Sequence, residues 1–247
     1  MDLRERRIDP QRHPWEVARS RFFRRVVADA LPSRPTTVID VGAGDGWFAG
    51  QLLCDLPPGA RITCWDAHYT DADLDEAVPA GLLRTATAPP YRAPLVLALD
   101  VIEHVADDDA FVRDEIAPLL APGGTLVVSV PAHQLLFTGH DTALGHHRRY
   151  SARSLHDLLS RHLDVVSEGS LFTSLLLPRG VSAIAERVRP RSAPDSPESQ
   201  WTHGRAVTTA VTTVLGFDAA LGRLTANRRF RPPGLSVWAV CRARGTA

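Results

Sequence analysis

Two groups of side chains in this chain carry types and spacings that could do chemistry. The first lies in VIDVGAGDGWFAGQLL (38–53), where Asp40 precedes Gly42, Gly44 and Gly46. Glycines between a strand and a helix let a ligand approach the main chain and leave N–H groups free at the helix start. Open α/β sheets hold nucleotide-like molecules there. The second is GHDTALGHHRRYS (139–151), with His140, Asp141, His146, His147, Arg148, Arg149 and Tyr150. Imidazoles exchange protons near neutral pH, and guanidinium groups hold anions. His104, in VIEHV (101–105), is a further candidate for proton transfer. Two readings of the 139–151 segment compete. In one it is a lid over a substrate. In the other it is a solvated basic loop, with Tyr150 packed on the sheet and the arginines paired with surface acids.

Metal chemistry has little support in linear spacing. The histidines show no HxxxH or HExxH pattern, so no metal site is expected. Cys54, Cys64 and Cys241 are odd in number and far apart, with no CxxC pair, and read as small buried hydrophobes. The 247 residues are 44% hydrophobic and 23% charged, with formal net charge +0, which suits a globular protein without a global field toward nucleic acid. The basic residues are all Arg, and nine of them fall in residues 1–34 against five acids. With no secretory h-region at the start and no uncharged run near the ~18 residues a spanning helix needs, a cytoplasmic protein is expected.

The elements that must position these groups follow from periodicity. Trp15, Ala18, Phe22, Phe23, Val26 and Ala30 repeat at helical spacing, giving a helix over 14–31 that Pro32 ends. Strands are expected at 37–41, 60–66, 81–86, 94–101, 125–131 and 163–166, with a last one at 235–243. Helices alternate with them at 45–56, 71–78, from 107 with Pro118 cutting it short, and from 151 or 152. This is an α/β doubly wound sheet of seven mostly parallel strands. The last strand follows Pro232-Pro233-Gly234 with no helix after it, which suits an antiparallel strand at the edge. The whole forms a single domain with a core at 36–174, a helical insertion at 175–231 and the last strand within 232–244. Residues 189–200, rich in Pro, Ser and Arg, read as a linker inside the insertion.

The glycine spacing selects among ligands. A dinucleotide site wants G-x-G-x-x-G, but position 47 is Trp and the third glycine falls at 46. A P-loop needs a Lys, and the chain has none. DVGAGDG (40–46) resembles motif I of the class I S-adenosylmethionine (SAM)-dependent methyltransferases. CWDAH (64–68), LALDVIEHV (97–105), LLAPGGTLVVSVP (119–131) and LSVWAVCRAR (235–244) resemble that family's second-strand acid, fourth-strand segment, fifth-strand lead-in and closing antiparallel strand. The resemblance covers about 15–170 plus 232–244. It implies SAM as cofactor, S-adenosylhomocysteine as product, and a set of cofactor contacts. Asp40 faces the methionine ammonium, and the backbone of Gly42, Ala43 and Gly44 passes close to the cofactor. Asp66, with Ala67 beside it, takes the ribose hydroxyls, and Asp100 and Val101 line the methionine end. Where the family often has an acid after strand three, this chain has Thr85 and Ala86, and Thr85 is the expected cofactor contact there.

The 139–151 segment resembles a bacterial subgroup of these enzymes, as do Ser174-Leu175-Leu176 and Pro233-Gly234-Leu235-Ser236. The expected acceptor is a small molecule or a lipid- or glycan-linked metabolite. His104 or His140, with Tyr150, would do proton chemistry; His146, Arg148 and Arg149 would bind an anionic part of the acceptor. The insertion, with apolar stripes at 175–184 and 206–224 edged by Arg, reads as a cover over the acceptor in preference to a membrane contact. The competing functions are an NAD(P) oxidoreductase, opposed by Trp47, and a non-catalytic SAM-binding protein, opposed by the intact Asp40, Asp66 and glycines. Nucleic acid is not an expected partner, because no basic face with interleaved aromatics is evident.

Overall fold

Alternating apolar runs and glycine or proline stops produce, in the computed structural model, the helices and strands that carry both groups. The structure describes residues 12–31, 33, 35–188, 204–228 and 231–245. In chain order they form α1 (Pro14–Ala30), β1 (Thr37–Val41), α2 (Trp47–Leu53), β2 (Arg61–Trp65), α3 (Asp71–Asp75), β3 (Leu82–Thr85) and β4 (Ala93–Leu99). A 3-10 turn (Ile102–His104), α4 (Asp108–Ala110), β5 (Leu120–Pro131), α5 (Gly139–Ala143), α6 (Ala152–Leu159) and β6 (Leu163–Leu171) follow. The last elements are α7 (Leu176–Val188), α8 (Arg205–Leu224) and β7 (Ser236–Ala243).

The seven strands lie in the order β3-β2-β1-β4-β5-β7-β6. The first five positions are parallel, whereas β7 runs antiparallel to both β5 and β6. The antiparallel last strand is as expected, but its place at the edge is not: β7 is inserted between β5 and β6, and β6 forms the edge. Edge position also explains why β6 outruns the expected 163–166. Its polar continuation Ser167-Glu168-Gly169-Ser170 pairs with β7 on one side only, so polar residues do not have to be buried on every side.

Side-chain alternation along the strands feeds two apolar layers. Ile39, Val96, Ala98, Leu126 and Val128 pack with Ile116, Leu155, Leu158 and Leu159 on one face. Val38, Ile62, Leu95, Leu97, Trp238 and Val240 pack with Phe22, Phe23, Val26, Leu52 and Leu215 on the other. Thus α1 and α8 share a face, and α1 meets the sheet where Phe22 packs on the β7 Trp238 ring at 5.5 Å. α8 comes so close to β6 that a Cβ at Gly222 would lie 2.4 Å from the Ser170 carbonyl oxygen.

Several boundaries differ from the sequence expectation for local reasons. α2 starts at Trp47 because Gly46, at φ +76°, is the residue before the helix and not part of it. The helix expected from 107 keeps only one α turn, widens into a π turn over Phe111–Ile116 and closes in a 3-10 turn holding Pro118. Proline has no N–H for the ladder and crowds the preceding turn. Val112, Ile116 and Leu119 still reach the core. Cys64 and Cys241 are buried as expected, but Cys54 is exposed just past α2. Pro32 and the linker at 189–200 lie outside the described residues.

Candidate active site

The glycine turn is built by three left-handed residues, Gly42 (φ +60°), Gly44 (φ +59°) and Gly46 (φ +76°). Gly42 N–H donates to the Trp65 carbonyl at 2.7 Å, which ties the turn to the end of β2. A Cβ at Gly42 would fall 2.6 Å from Val101 Cγ2, so the main chain there runs against the segment that follows β4. Asp66 closes the other side, accepting from Gly44 N–H at 3.0 Å and from His68 N–H at 3.0 Å. A carboxylate has about four acceptor positions, so these two bonds leave capacity for a ligand's hydroxyls.

Asp40 lies on β1 facing the α1 side, 3% exposed. Burial pushes its carboxyl up to about 7, opposed by the charge of Arg19 and reinforced by that of Asp66. A buried acid in this condition is satisfied by a cationic ligand. Asp100, one residue past β4, sits at φ +59° and is held from three sides. Its N–H donates to the Ser129 carbonyl at 2.9 Å, Ser129 Oγ donates to Oδ1 at 3.0 Å, and Arg19 Nη2 meets Oδ2 at 2.7 Å. Left-handed backbone at a non-glycine residue costs of order 1–3 kcal/mol and persists where surrounding bonds over-determine it.

These residues line two adjoining cavities, the two lobes of the cleft. In the first, Asp66, Ala67, Trp65, Val101 and Phe111 are among the lining residues. In the second, of about 260 Å³, Asp40, Gly42, Ala43 and Asp100 face Trp15, Arg19, Glu103, His140, His146 and Arg149. Gly42, Asp100 and His104 belong to both lobes.

The loop between β5 and α6 is organised around Asp141, which is fully buried. Its carboxylate accepts from Thr138 N–H (3.0 Å), Arg149 Nε (2.7 Å), Arg179 Nη2 (3.0 Å) and the ring of His146 at Nδ1 (3.0 Å). Burial works against its charge, but the bonds from His146 and Arg149 outweigh it and hold the carboxyl well below the usual range. His140, at the cleft mouth, is held below the ordinary imidazole value by desolvation and then by the charge of Arg179. α7 braces this loop, because Arg179 also donates to Thr138 Oγ1 (2.9 Å) and Gly139 N–H donates to Glu186 (2.7 Å). Asp218 of α8 in turn accepts from Ser174 N–H at 2.7 Å, ahead of α7.

The cleft therefore gathers Asp40, Gly42, Ala43, Asp66, Ala67, Asp100, Val101, His104, His140, His146 and Arg149 from the sequence-derived set. Gly44 stays in the turn with its N–H bound to Asp66 and lines neither lobe. Three others are turned away. Tyr150 is in the core with its hydroxyl donating to Asp108 Oδ2 at 2.7 Å, so its proposed proton role is corrected to a structural one. Arg148 pairs with the same Asp108 at 2.8 Å instead of facing an acceptor. Thr85 spends its hydroxyl on the Thr87 carbonyl and lines neither lobe.

Two residues escaped the sequence reading. Arg19 is a buried charged residue on α1, next to the apolar positions Ala18, Phe22 and Phe23, a signal that was visible. Glu103 is fully buried, and burial, then the nearby charge of Asp100, push its carboxyl well above the ordinary range. Neither of its carboxylate oxygens has a hydrogen-bond partner among the described residues. The fold also brings together what linear spacing kept apart: Glu103, His104 and His146 each offer a ligand atom, all within 4.8 Å of one another.

Known proteins agree with this architecture. A family model described as a methyltransferase domain matches residues 15–168. The ubiquinone biosynthesis O-methyltransferase of Methylobacterium nodulans is 29% identical over 149 residues, 56% of this chain and 58% of that protein, so the match spans a little over half of the relative. Two solved structures share the fold. N-methyltransferase NodS from Bradyrhizobium japonicum with S-adenosyl-L-homocysteine has a TM-score of 0.52 at 14% identity, covering 96% of this chain and 93% of NodS. The cyclase SpnF has a TM-score of 0.56 at 16% identity, covering 96% and 86%. The family match, the seven-stranded sheet with its inserted antiparallel strand and the glycine turn facing Asp66 lead to one conclusion: this chain belongs to the class I SAM-dependent methyltransferases.

Proposed function

We propose that the protein transfers the methyl group of SAM to a hydroxyl of a small organic acceptor held in the second lobe. The observation that carries this reading is the two-lobed cleft, whose parts meet at Gly42, Asp100 and His104. Asp66 suits ribose hydroxyls in the lobe that Trp65 and Phe111 also line, and buried Asp40 suits the methionine ammonium. Leu144, Phe172, Leu175 and Leu235 give the second lobe an apolar wall. A hydroxyl is the preferred nucleophile because the curated relative is named an O-methyltransferase. An anionic acceptor has weaker support, since Arg149 is already engaged by Asp141 and by the Ala132 carbonyl.

When bound, SAM supplies a methyl carbon that bonds to the acceptor oxygen as its bond to sulfur breaks, and the sulfur keeps the electron pair. The chain aligns the two partners, which is the main source of rate in such a displacement. A proton must also leave the hydroxyl. His140 is the acceptor we favour, because desolvation and Arg179 keep its imidazole neutral near pH 7.

Calorimetry with S-adenosylhomocysteine tests the cofactor half. Asp66→Ala removes acceptors for two charge-assisted hydrogen bonds at about 1.5–3 kcal/mol each, so affinity should fall at least tenfold. Affinity within twofold of wild type, or binding of NAD in place of SAM, would defeat the assignment. Product analysis with isotopically labelled SAM and phenolic acceptors tests the other half; label on nitrogen or carbon would replace the hydroxyl reading.

A further inference from the structure

A carboxyl group buried without a partner is costly whether ionised or not, because each oxygen lost its water and received nothing in return. Glu103 is in that position. It lies on the 3-10 turn after β4, fully buried, with both oxygens unpartnered among the described residues, and it lines the second lobe. A protonated acid would still present an O–H and a carbonyl oxygen without partners. The groups able to satisfy it are those facing it across the cleft.

His104 follows it in the same turn. The 139–151 loop is stitched to this turn by His147 N–H donating to the Glu103 carbonyl at 2.7 Å, which delivers His146 to the same spot. The His104 and His146 rings meet edge to face with centroids 4.6 Å apart. Asp141 fixes the tautomer of His146. Its ionised carboxylate, 3.0 Å from Nδ1, takes the N–H there and leaves the Nε2 lone pair for the cleft. A carboxylate behind an imidazole is the arrangement that orients metal-binding histidines and raises their basicity. Local charge permits a cation: Asp100 and Glu103 stand against Arg19, whose Nη2 is spent on Asp100 and Ser129.

We propose that Glu103, His104 and His146 bind one divalent cation of the zinc class, with its remaining positions open toward the acceptor lobe. Two imidazoles and one carboxylate favour a borderline ion such as Zn²⁺ or Co²⁺ over Mg²⁺ or Ca²⁺, which prefer all-oxygen sets. Ligands at ~2.0–2.2 Å from one ion stand about 3–4 Å apart. The present separations, at most 4.8 Å, close with small side-chain adjustments. The ion would neutralise Glu103 and hold the acceptor oxygen by coordination. It assigns His104 to the metal, while His140, elsewhere on the lobe, takes the proton. The catalytic part rests on the function proposed above; the binding part does not.

Chelator-treated full-length protein should be titrated with Co²⁺ while its d–d absorption is followed, then challenged with Zn²⁺. One equivalent of Co²⁺ in a four- or five-coordinate site, displaced by Zn²⁺, is expected. Glu103→Gln and His146→Ala should each weaken Co²⁺ at least about tenfold, and Asp141→Asn by about 10–100-fold, through the orientation of His146. Circular dichroism checks that each variant folds; if Glu103→Gln does not, His146→Ala and the wild-type titration still decide. Uptake below a fifth of an equivalent, or unchanged affinity in His146→Ala, would overturn the site. Full methyl transfer by metal-free protein would overturn its part in the reaction. Co²⁺ binding by a protein that fails to bind S-adenosylhomocysteine would leave the metal site standing and remove the methyl-transfer reading.

Discussion

Replacing Gly42 with alanine tests the geometry of the glycine turn by two separable penalties. The backbone there has φ +60°, and an L side chain in that region costs roughly 1–2 kcal/mol. The added Cβ would also lie 2.6 Å from Val101 Cγ2 and 3.1 Å from Cγ1, well inside the ~3.5–4.0 Å of ordinary carbon contacts. Overpacking of this kind costs typically about 1–3 kcal/mol. Together they predict a loss of about 2–5 kcal/mol, a large share of the ~5–15 kcal/mol of a whole domain. Val101→Ala removes both Cγ atoms and leaves Cβ at 3.4 Å, an ordinary contact. The double variant should therefore recover the overlap but keep the backbone penalty. Urea unfolding of the four proteins, at matched slopes, gives the coupling energy, expected at about 1–3 kcal/mol in favour of the double variant. Additivity within about 0.5 kcal/mol would mean that Gly42 does not press on Val101, and the close approach of the glycine turn to the segment after β4 would fall with it.

Asp40 should couple stability and ligand affinity to pH in opposite senses. Its folded value, about 7, is above the usual carboxylate range, so the folded state binds the extra proton between about pH 4 and 7. Stability of the ligand-free protein should fall as pH rises through that window, S-adenosylhomocysteine affinity should rise, and Asp40→Asn should flatten both; unchanged slopes in the variant would refute it. Tyr150→Phe should destabilise by about 0.5–1.5 kcal/mol through the lost bond to Asp108, which keeps Arg148, with methyl transfer within about threefold of wild type, whereas a hundredfold slowing would restore the proton role. Arg19→Met should leave Asp100 unpaired at φ +59° and weaken S-adenosylhomocysteine binding by about tenfold, measured by calorimetry; unchanged affinity would separate α1 from the cofactor site.

How much could be read in the chain depended on whether the cause was local. β1, its glycine turn and Asp66 were legible because each depends on neighbours within a few residues: β-formers, left-handed glycines, an acid at a strand end. The position of β7 was not, because inserted and edge placements of an antiparallel strand differ only in which strands pair with it. Polar residues at 167–170 hid the end of β6, since an edge strand tolerates them. The metal-ligand set was least visible. His104 and His146 stand 42 positions apart, and contacts such as the His147–Glu103 backbone bond and the Arg148–Asp108 pair bring their segments together.

The second group shows the same limit in its charge. Read in line, His146, His147, Arg148 and Arg149 make a basic loop suited to anions. In the fold that charge is absorbed inward: Arg149 and His146 converge with Arg179, from a helix thirty residues on, upon one fully buried carboxylate. Arg148 is absorbed by Asp108. What reaches the cleft is then a set of oriented imidazoles beside a neutralised guanidinium, a surface better suited to coordinating or deprotonating an uncharged hydroxyl than to capturing an anion. Asp141, which the sequence presents as one acid among basic neighbours, decides that outcome.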